Sequence, residues 1–144
     1  LVRSRGLGDV YKRQKKYMDQ VITDAREQEY VSTILGRRRY LPDINSRNAT
    51  QQGFAERNAI NAPIQGSAAD MIKIAMVNIN NWMEEAKVQS KLILQVHDEL
   101  VFEVHHSEKE LMAEKVAHYM KTALDLPVPM EIGTGFGENW LEAH

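Results

Sequence analysis

The tripeptide His97-Asp98-Glu99 sets three titratable side chains in a row between two apolar runs, residues 92–96 and 100–104. Two carboxylates at one point are suited to a hard divalent cation such as Mg²⁺, which takes oxygen ligands and keeps part of its water shell. Apolar residues alternating with polar ones on both sides predict a β-hairpin with one face buried. Adjacent acids are poor material for the tip, because their charges repel, neither needs φ > 0, and short hairpin loops favour Asn-Gly or Asp-Gly. A tip that gives up turn chemistry for Asp-Glu points to carboxylates placed there for what they bind. A solvated hairpin tip is the alternative. Two more groups could do chemistry. Arg37-Arg38-Arg39 could grip phosphate through bidentate hydrogen bonds, against the alternative of a solvated turn. His97 and His105 flank a strand, and with Asp98 and Glu99 they offer a Zn²⁺ or Mn²⁺ ligand set for a metal-dependent hydrolase.

The rest of the chain has to position these groups. Its 144 residues allow one domain, or part of one, with a sizeable core. It contains no cysteine, which excludes disulfides and thiolate metal sites. No apolar run approaches the roughly 20 residues that span a bilayer, and no signal-peptide pattern is present, so a soluble, intracellular protein is expected. The net charge of −2 conceals an asymmetry. Residues 1–57 hold 12 Lys+Arg against 7 Asp+Glu, and residues 58–144 hold 6 against 13. A basic front and an acidic back suit a phosphate-facing surface beside a metal-binding one.

Residues 1–14 carry Gly6, Gly8 and four basic residues without a sustained period, and read as a disordered extension or a cloning or sequencing scar, with a basic arm that contacts nucleic acid as the alternative. From Lys15, the spacing of Tyr17, Val21, Ile22 and Ala25 predicts a helix to about Glu29. Residues 30–35 and 39–41 around Gly36 predict a small hairpin with a basic tip. A helix is expected from Asn48 to Asn61, with Asn48 or Thr50 as N-cap and Arg57 and Asn61 on one face. Pro63 should interrupt it and start a second helix to about Ala86. Ile64, Ala68, Met71, Ile72, Ala75, Met76, Ile79 and Met83 form that helix's core stripe, with Gln65, Asp70, Lys73 and Asn80 off it or at its edge. Ser107 with Glu110 predicts a capping box for a helix to about Leu124, and residues 130–133 predict a last strand. The fold class expected is α+β, with helices packed on a small antiparallel sheet.

Three blocks carry a resemblance. They are Arg38-Arg39-Tyr40-Leu41-Pro42-Asp43-Ile44, the run from Ala55 to Asp70 containing Arg57, Asn61 and Gln65, and the run from Gln95 to Val104. Together with the closing Gly137-Glu138-Asn139-Trp140, they are similar to the C-terminal part of the polymerase domain of family A DNA polymerases, in particular the bacterial type. The likeness covers about residues 15–144, in order.

The resemblance implies an antiparallel hairpin carrying His-Asp-Glu, packed on long helices in the palm and fingers portion of a polymerase. It makes Asp98 a metal-binding carboxylate, Glu99 an auxiliary acid and His97 a group beside the primer end. It makes Arg57, Asn61 and Gln65 contacts to template and primer. It also implies template-directed nucleotidyl transfer with two Mg²⁺ ions, on primer-template DNA and dNTPs, by a monomer in the bacterial cytoplasm, associated with the nucleoid and not with a membrane. The sequence departs from the family in having no Asp-Tyr-Ser motif, which would supply the second metal-binding aspartate, and no fingers helix for the incoming nucleotide. The chain is therefore expected to be the last part of a polymerase cut upstream of Lys15, inactive by itself. A non-catalytic DNA-binding remnant is the alternative.

Overall fold

The computed structural model describes residues 2–143, with side chains described from residue 10 onward. Leu1 and His144 lie outside the described residues. The chain divides into two compact units, residues 1–67 and 68–144.

The first unit begins with helix α1, Val2–Gln28. The helix expected from Lys15 therefore starts earlier, and Val2–Gln14 is helical rather than irregular. Helix-favouring Lys12, Arg13, Gln14, Lys15 and Lys16 let it propagate through a stretch with no apolar period. Glu29 ends α1 with a left-handed φ of 60°, a position that more often holds Gly. Strands β1 (Tyr30–Ser32) and β2 (Arg38–Tyr40) then pair antiparallel, Val31 opposite Arg39. Ala25, Val31, Leu41, Ile44, Ala55 and Ala59 form this unit's core.

Helix α2 runs Ala49–Ala86 and contains Pro63. The expected break at Pro63 does not occur. A proline removes one i→i−4 bond and crowds one carbonyl, and a helix held by burial on both sides can continue past such a defect instead of ending. Before Pro63, Ala55 and Ala59 sit in the first core; after it, Ala75, Ile79 and Met83 sit in the second. Asn48 is the N-cap, its Oδ1 accepting from the N–H groups of Thr50 and Gln51 at 3.0 and 3.3 Å. At the other end Lys87, φ 53°, closes a Schellman-type turn, with Val88 N–H donating to Met83 O. The expected core stripe is buried at Ile72, Ala75, Ile79 and Met83, but Ile64 is 59% exposed and Ala68 is also exposed. The stripe treated the helix as one face on one core, whereas its two parts serve different units. Asp70, expected at the edge of the stripe, is buried.

In the second unit β3 (Lys91–Val96) and β4 (Glu99–Glu103) form an antiparallel hairpin, followed by a short 3₁₀ turn His106–Glu108 and helix α3, Lys109–Lys121. Ser107 is not the cap of α3. Its hydroxyl and N–H meet His105 Nδ1, and Glu108 takes the N-cap position without a side-chain cap bond. Residues 130–133 form no strand, since Pro127 and Pro129 withhold ladder donors just before them. The chain closes with the short helix α4, Trp140–Ala143. The core of this unit is Ala75, Ile79, Met83, Met112, Val116 and Ala123, with Leu100, Phe102 and Val104 packed against it.

Candidate functional site

Cross-strand partners share a face. Leu92 faces Phe102 and Gln95 faces Leu100 on the side that packs inward, while Leu94 faces Val101 and Val96 faces Glu99 on the outer side. The register shifts between Leu92 and Leu94, so Ile93 sits in a bulge. The bulge moves Leu94 to the outer face and leaves Ile93 and Leu94 60% and 46% exposed. A bulge of this kind bends and twists the strand and re-aims the residues beyond it.

Here the re-aimed group is the turn. Because Glu99 pairs with Val96, the loop is only His97-Asp98, and Glu99 belongs to the strand rather than to the tip expected from sequence. His97 has a left-handed φ of 52°, at the first loop position, where a short hairpin normally uses Gly or Asn. The loop backbone does therefore need φ > 0 at one residue, but that residue is His97; neither acid, Asp98 or Glu99, has a positive φ, as expected. Gln95 Nε2 donates to His97 O at 2.5 Å and steadies the turn. Asp98 is exposed, and among the described residues its carboxylate has no hydrogen-bond or ion-pair partner in the protein. An exposed carboxylate with its lone pairs available fits one ligand position of a hydrated Mg²⁺. Glu99 is half-buried beside it, on the outer face.

The opposite, open end of the hairpin is held by a cluster that sequence reading did not single out. Glu108 Oε1 accepts from Gln89 N–H at 2.8 Å, and Oε2 accepts from Ser90 N–H at 2.9 Å and Ser90 Oγ at 2.6 Å. Ser90 Oγ in turn accepts from His105 N–H at 3.0 Å. The hydrogen bond from the Ser90 hydroxyl, followed by that from the Gln89 N–H, holds the Glu108 carboxyl below its usual range. The one signal in the sequence was an acid and a serine just outside opposite ends of the hairpin. It was hidden because Glu108 reads equally well as first-turn helix.

His97 and His105 do not converge. Eight residues of extended chain separate them, on the order of 25 Å, and His105 is engaged with Ser107. Among the described residues no group of three or more His, Asp and Glu side chains is placed to hold a metal. The three-ligand hydrolase site proposed from sequence is therefore not assembled.

In the first unit Arg57, Asn61 and Gln65 are all exposed and lie at intervals of four on α2. They form a polar row of about 12 Å, the length of three to four base steps. The basic turn lies beside this row. Arg37 Nη2 donates to Gly66 O at 3.1 Å, and Arg38 stacks 4.4 Å over the ring of Tyr30. Arg37, Arg38 and Arg39 line a cavity of about 90 Å³ together with Gln65 and Gly66.

Comparison with known proteins gives a concordant picture. The sequence model of DNA polymerase family A matches residues 7–142. DNA polymerase I of Streptococcus pneumoniae is 50% identical over 129 residues, that of Mycobacterium leprae 48% over 126 and that of Bacillus caldotenax 46% over 129. These alignments cover 90%, 88% and 90% of this chain but only 15%, 14% and 15% of the relatives' length. Among solved structures, the POL domain of Pol1 from M. smegmatis, in complex with DNA primer-template and dNTP, superposes with a TM-score of 0.87 at 46% identity. That match covers 90% of this chain and 23% of that one. Helices with small antiparallel sheets, in the arrangement of part of a polymerase domain, are thus shared with a protein of close sequence. On the sequence match across nearly its whole length, this chain belongs to DNA polymerase family A.

Proposed function

We propose that the chain is the C-terminal portion of the polymerase domain of a DNA-directed DNA polymerase, and that Asp98 is one of the carboxylates of its two-metal site. The observation that carries this reading is an exposed, unpartnered Asp98 on a two-residue hairpin turn, in a family A chain 46% identical to a polymerase domain bound to primer-template and dNTP. The reaction is attack of a primer 3′-oxygen on the α-phosphorus of a dNTP, which forms the new phosphodiester bond, breaks the α–β phosphoanhydride bond and releases pyrophosphate and the hydroxyl proton. Asp98 would help to hold Mg²⁺, which when bound would supply Lewis-acid stabilisation of charge on the attacking and leaving oxygens.

The chain's own residues hold and orient. Asp98 offers carboxylate oxygen to the ion, Glu99 keeps a second negative group next to it, and His97 lies beside the primer end. Arg57, Asn61 and Gln65 present N–H donors along one helix face. Minor-groove acceptors are nearly the same for every correct base pair, so such donors sense the fit of a pair without reading its identity. Arg37, Arg38 and Arg39 add charge for backbone phosphates.

In a full-length polymerase carrying this segment, Asp98→Asn should lower primer extension on the order of 10³-fold while primer-template binding persists, because several kcal/mol of transition-state stabilisation are lost. Synthesis near the unmodified rate would sink the proposal. The 144-residue chain by itself should bind DNA weakly and not extend a primer. Its binding should fall steeply with salt, by a log–log slope of about −0.9 per neutralised phosphate on duplex. Template-directed extension by the isolated chain would refute that part.

A further inference from the structure

The bonds at the open end of the β3–β4 hairpin suggest a role in the reaction for residues distant from the turn. We infer that Glu108 and Ser90 are positioning residues that aim Asp98, acting through the hairpin as a lever clamped at its base. The inference rests on the reading of Asp98 as a metal-holding carboxylate.

A two-stranded hairpin is marginally stable by itself, so its orientation depends on what fixes it. Only its inward face packs on the core, through Leu100 and Phe102, and the bulge at Ile93 interrupts the ladder that would stiffen it. The turn makes no hydrogen bond outside the hairpin among the described residues. Beyond the ladder pair Lys91↔Glu103, the side-chain link among the described residues that ties both chain ends of the hairpin to the start of α3 centres on one carboxylate. Glu108 collects three donors from Gln89 and Ser90, just before β3, and Ser90 Oγ passes the connection to the N–H of His105, just after β4. Ser90 is 5% exposed, so little water competes for these bonds. Both chain ends of the hairpin and the N-terminus of α3 are thereby fixed at one point.

The lever arm decides whether this matters. Six residues of β3 span about 20 Å, so a tilt of about 3° at the base moves the tip by about 1 Å. A misplacement of that size can cost on the order of 10²-fold in rate.

The test uses a full-length polymerase carrying this segment, with Glu108→Gln and Ser90→Ala made separately. Glu108→Gln replaces one acceptor oxygen by a donor that meets the N–H of Gln89 or of Ser90, whichever way the amide turns, and Ser90→Ala removes only the hydroxyl links, so a variant with limited damage remains if the first folds poorly. Single-turnover incorporation, the Mg²⁺ concentration for half-maximal rate and the primer-template Kd are read side by side. The expected result is a rate about 10- to 100-fold lower and a Mg²⁺ requirement raised several-fold, with the primer-template Kd within about 2-fold. An unchanged rate and Mg²⁺ requirement would overturn the inference. So would a loss of rate, DNA binding and melting temperature together with no change in Mg²⁺ requirement, which is the mark of general structural support. Asp98→Asn is measured alongside. If it leaves synthesis intact, the metal-ligand reading itself fails and takes the lever with it; if it abolishes synthesis while both clamp variants behave as unmodified, only the lever fails.

Discussion

The two hairpins of this protein are anchored at opposite ends. In the first unit the β1–β2 turn is tied down: Ile34 N–H donates to Ser67 Oγ at 2.8 Å and Arg37 to Gly66 O, while Thr33 lies so close to Gly66 that a Cβ there would come within 2.6 Å of Thr33 Cγ2. In the second unit the turn residues His97 and Asp98 make no such ties among the described residues, and Glu108 gathers the open end instead. A hairpin fixed at its turn serves as a prop against a helix. One fixed at its base and floor can present its turn to something that is not protein. The difference assigns opposite roles to similar elements, and it can be tested from the floor to the tip.

The largest effect is expected at the floor. Ile79 is fully buried beneath the β3–β4 hairpin's core, and Ile79→Ala should cost about 2–5 kcal/mol in chemical denaturation. Amide exchange should then accelerate in β3 and β4 and leave β1 and β2 at their former rates. Equal acceleration in both hairpins would break the picture of two separately anchored elements.

Next comes the tied turn. Ala normally favours a helix over Gly by about 1 kcal/mol, yet Gly66→Ala should destabilise by about 1–3 kcal/mol, because its methyl meets Thr33 Cγ2. Thr33→Ser removes that methyl and keeps the hydroxyl that receives the Arg37 N–H at 3.2 Å. The double variant should therefore recover most of the loss in a thermal melt, giving a coupling of opposite sign to the single effects. Additive losses would show that close approach is not what Gly66 is for.

How much of this was legible in the sequence depended on how local its cause was. Alternation marked the β3–β4 hairpin, two short β-branched or aromatic runs around Gly36 marked the β1–β2 hairpin, and the interval of four placed Arg57, Asn61 and Gln65 along one exposed row. Asn48 capped its helix because an Asx oxygen reaches N–H groups two and three residues on, a purely local bond. Pro63 misled, since what carries α2 past it is burial of alanines and Ile79 in cores assembled from distant segments. Ser107 misled for a similar reason: Glu108, the neighbour that shapes the start of α3, is committed to Gln89 and Ser90, nineteen and eighteen residues earlier. The bulge at Ile93 and the left-handed His97 left no mark in composition, because they answer to the twist of the pair and not to either strand.

The clamp also predicts a pH response. Glu108 titrates below its usual range in the folded protein, so its deprotonated form is favoured by folding. Its contribution is complete above the unfolded-state value, near 4.5, and is lost as pH falls through the lowered folded value. Below about pH 4.5 amide exchange at Gln89, Ser90 and His105, corrected for intrinsic rates, should speed up relative to the β1–β2 pair, and Glu108→Gln should remove that difference. A pH-independent ratio would mean that the carboxylate charge does not hold the hairpin base.

The smallest effect sharpens the comparison at the tip itself. Holding a non-glycine residue at φ 52° costs on the order of 1 kcal/mol or more, and the β1–β2 turn avoids that cost by placing Gly36 at φ 80°. His97→Gly should thus be neutral or stabilising by up to about 1 kcal/mol, whereas His97→Val should destabilise by more than about 1 kcal/mol, because a β-branched side chain tolerates left-handed backbone poorly. The same pair of variants separates two roles in a full-length polymerase. If His97 serves through its imidazole beside the primer end, His97→Gly loses synthesis despite the relaxed backbone; if it serves only to shape the turn, His97→Gly retains it. A stable His97→Gly protein with reduced incorporation and an unchanged Mg²⁺ requirement is the outcome expected, since it keeps Asp98 aimed while removing the ring. A strained residue kept at the presented turn, when glycine would fit better, then has its reason in what the side chain touches.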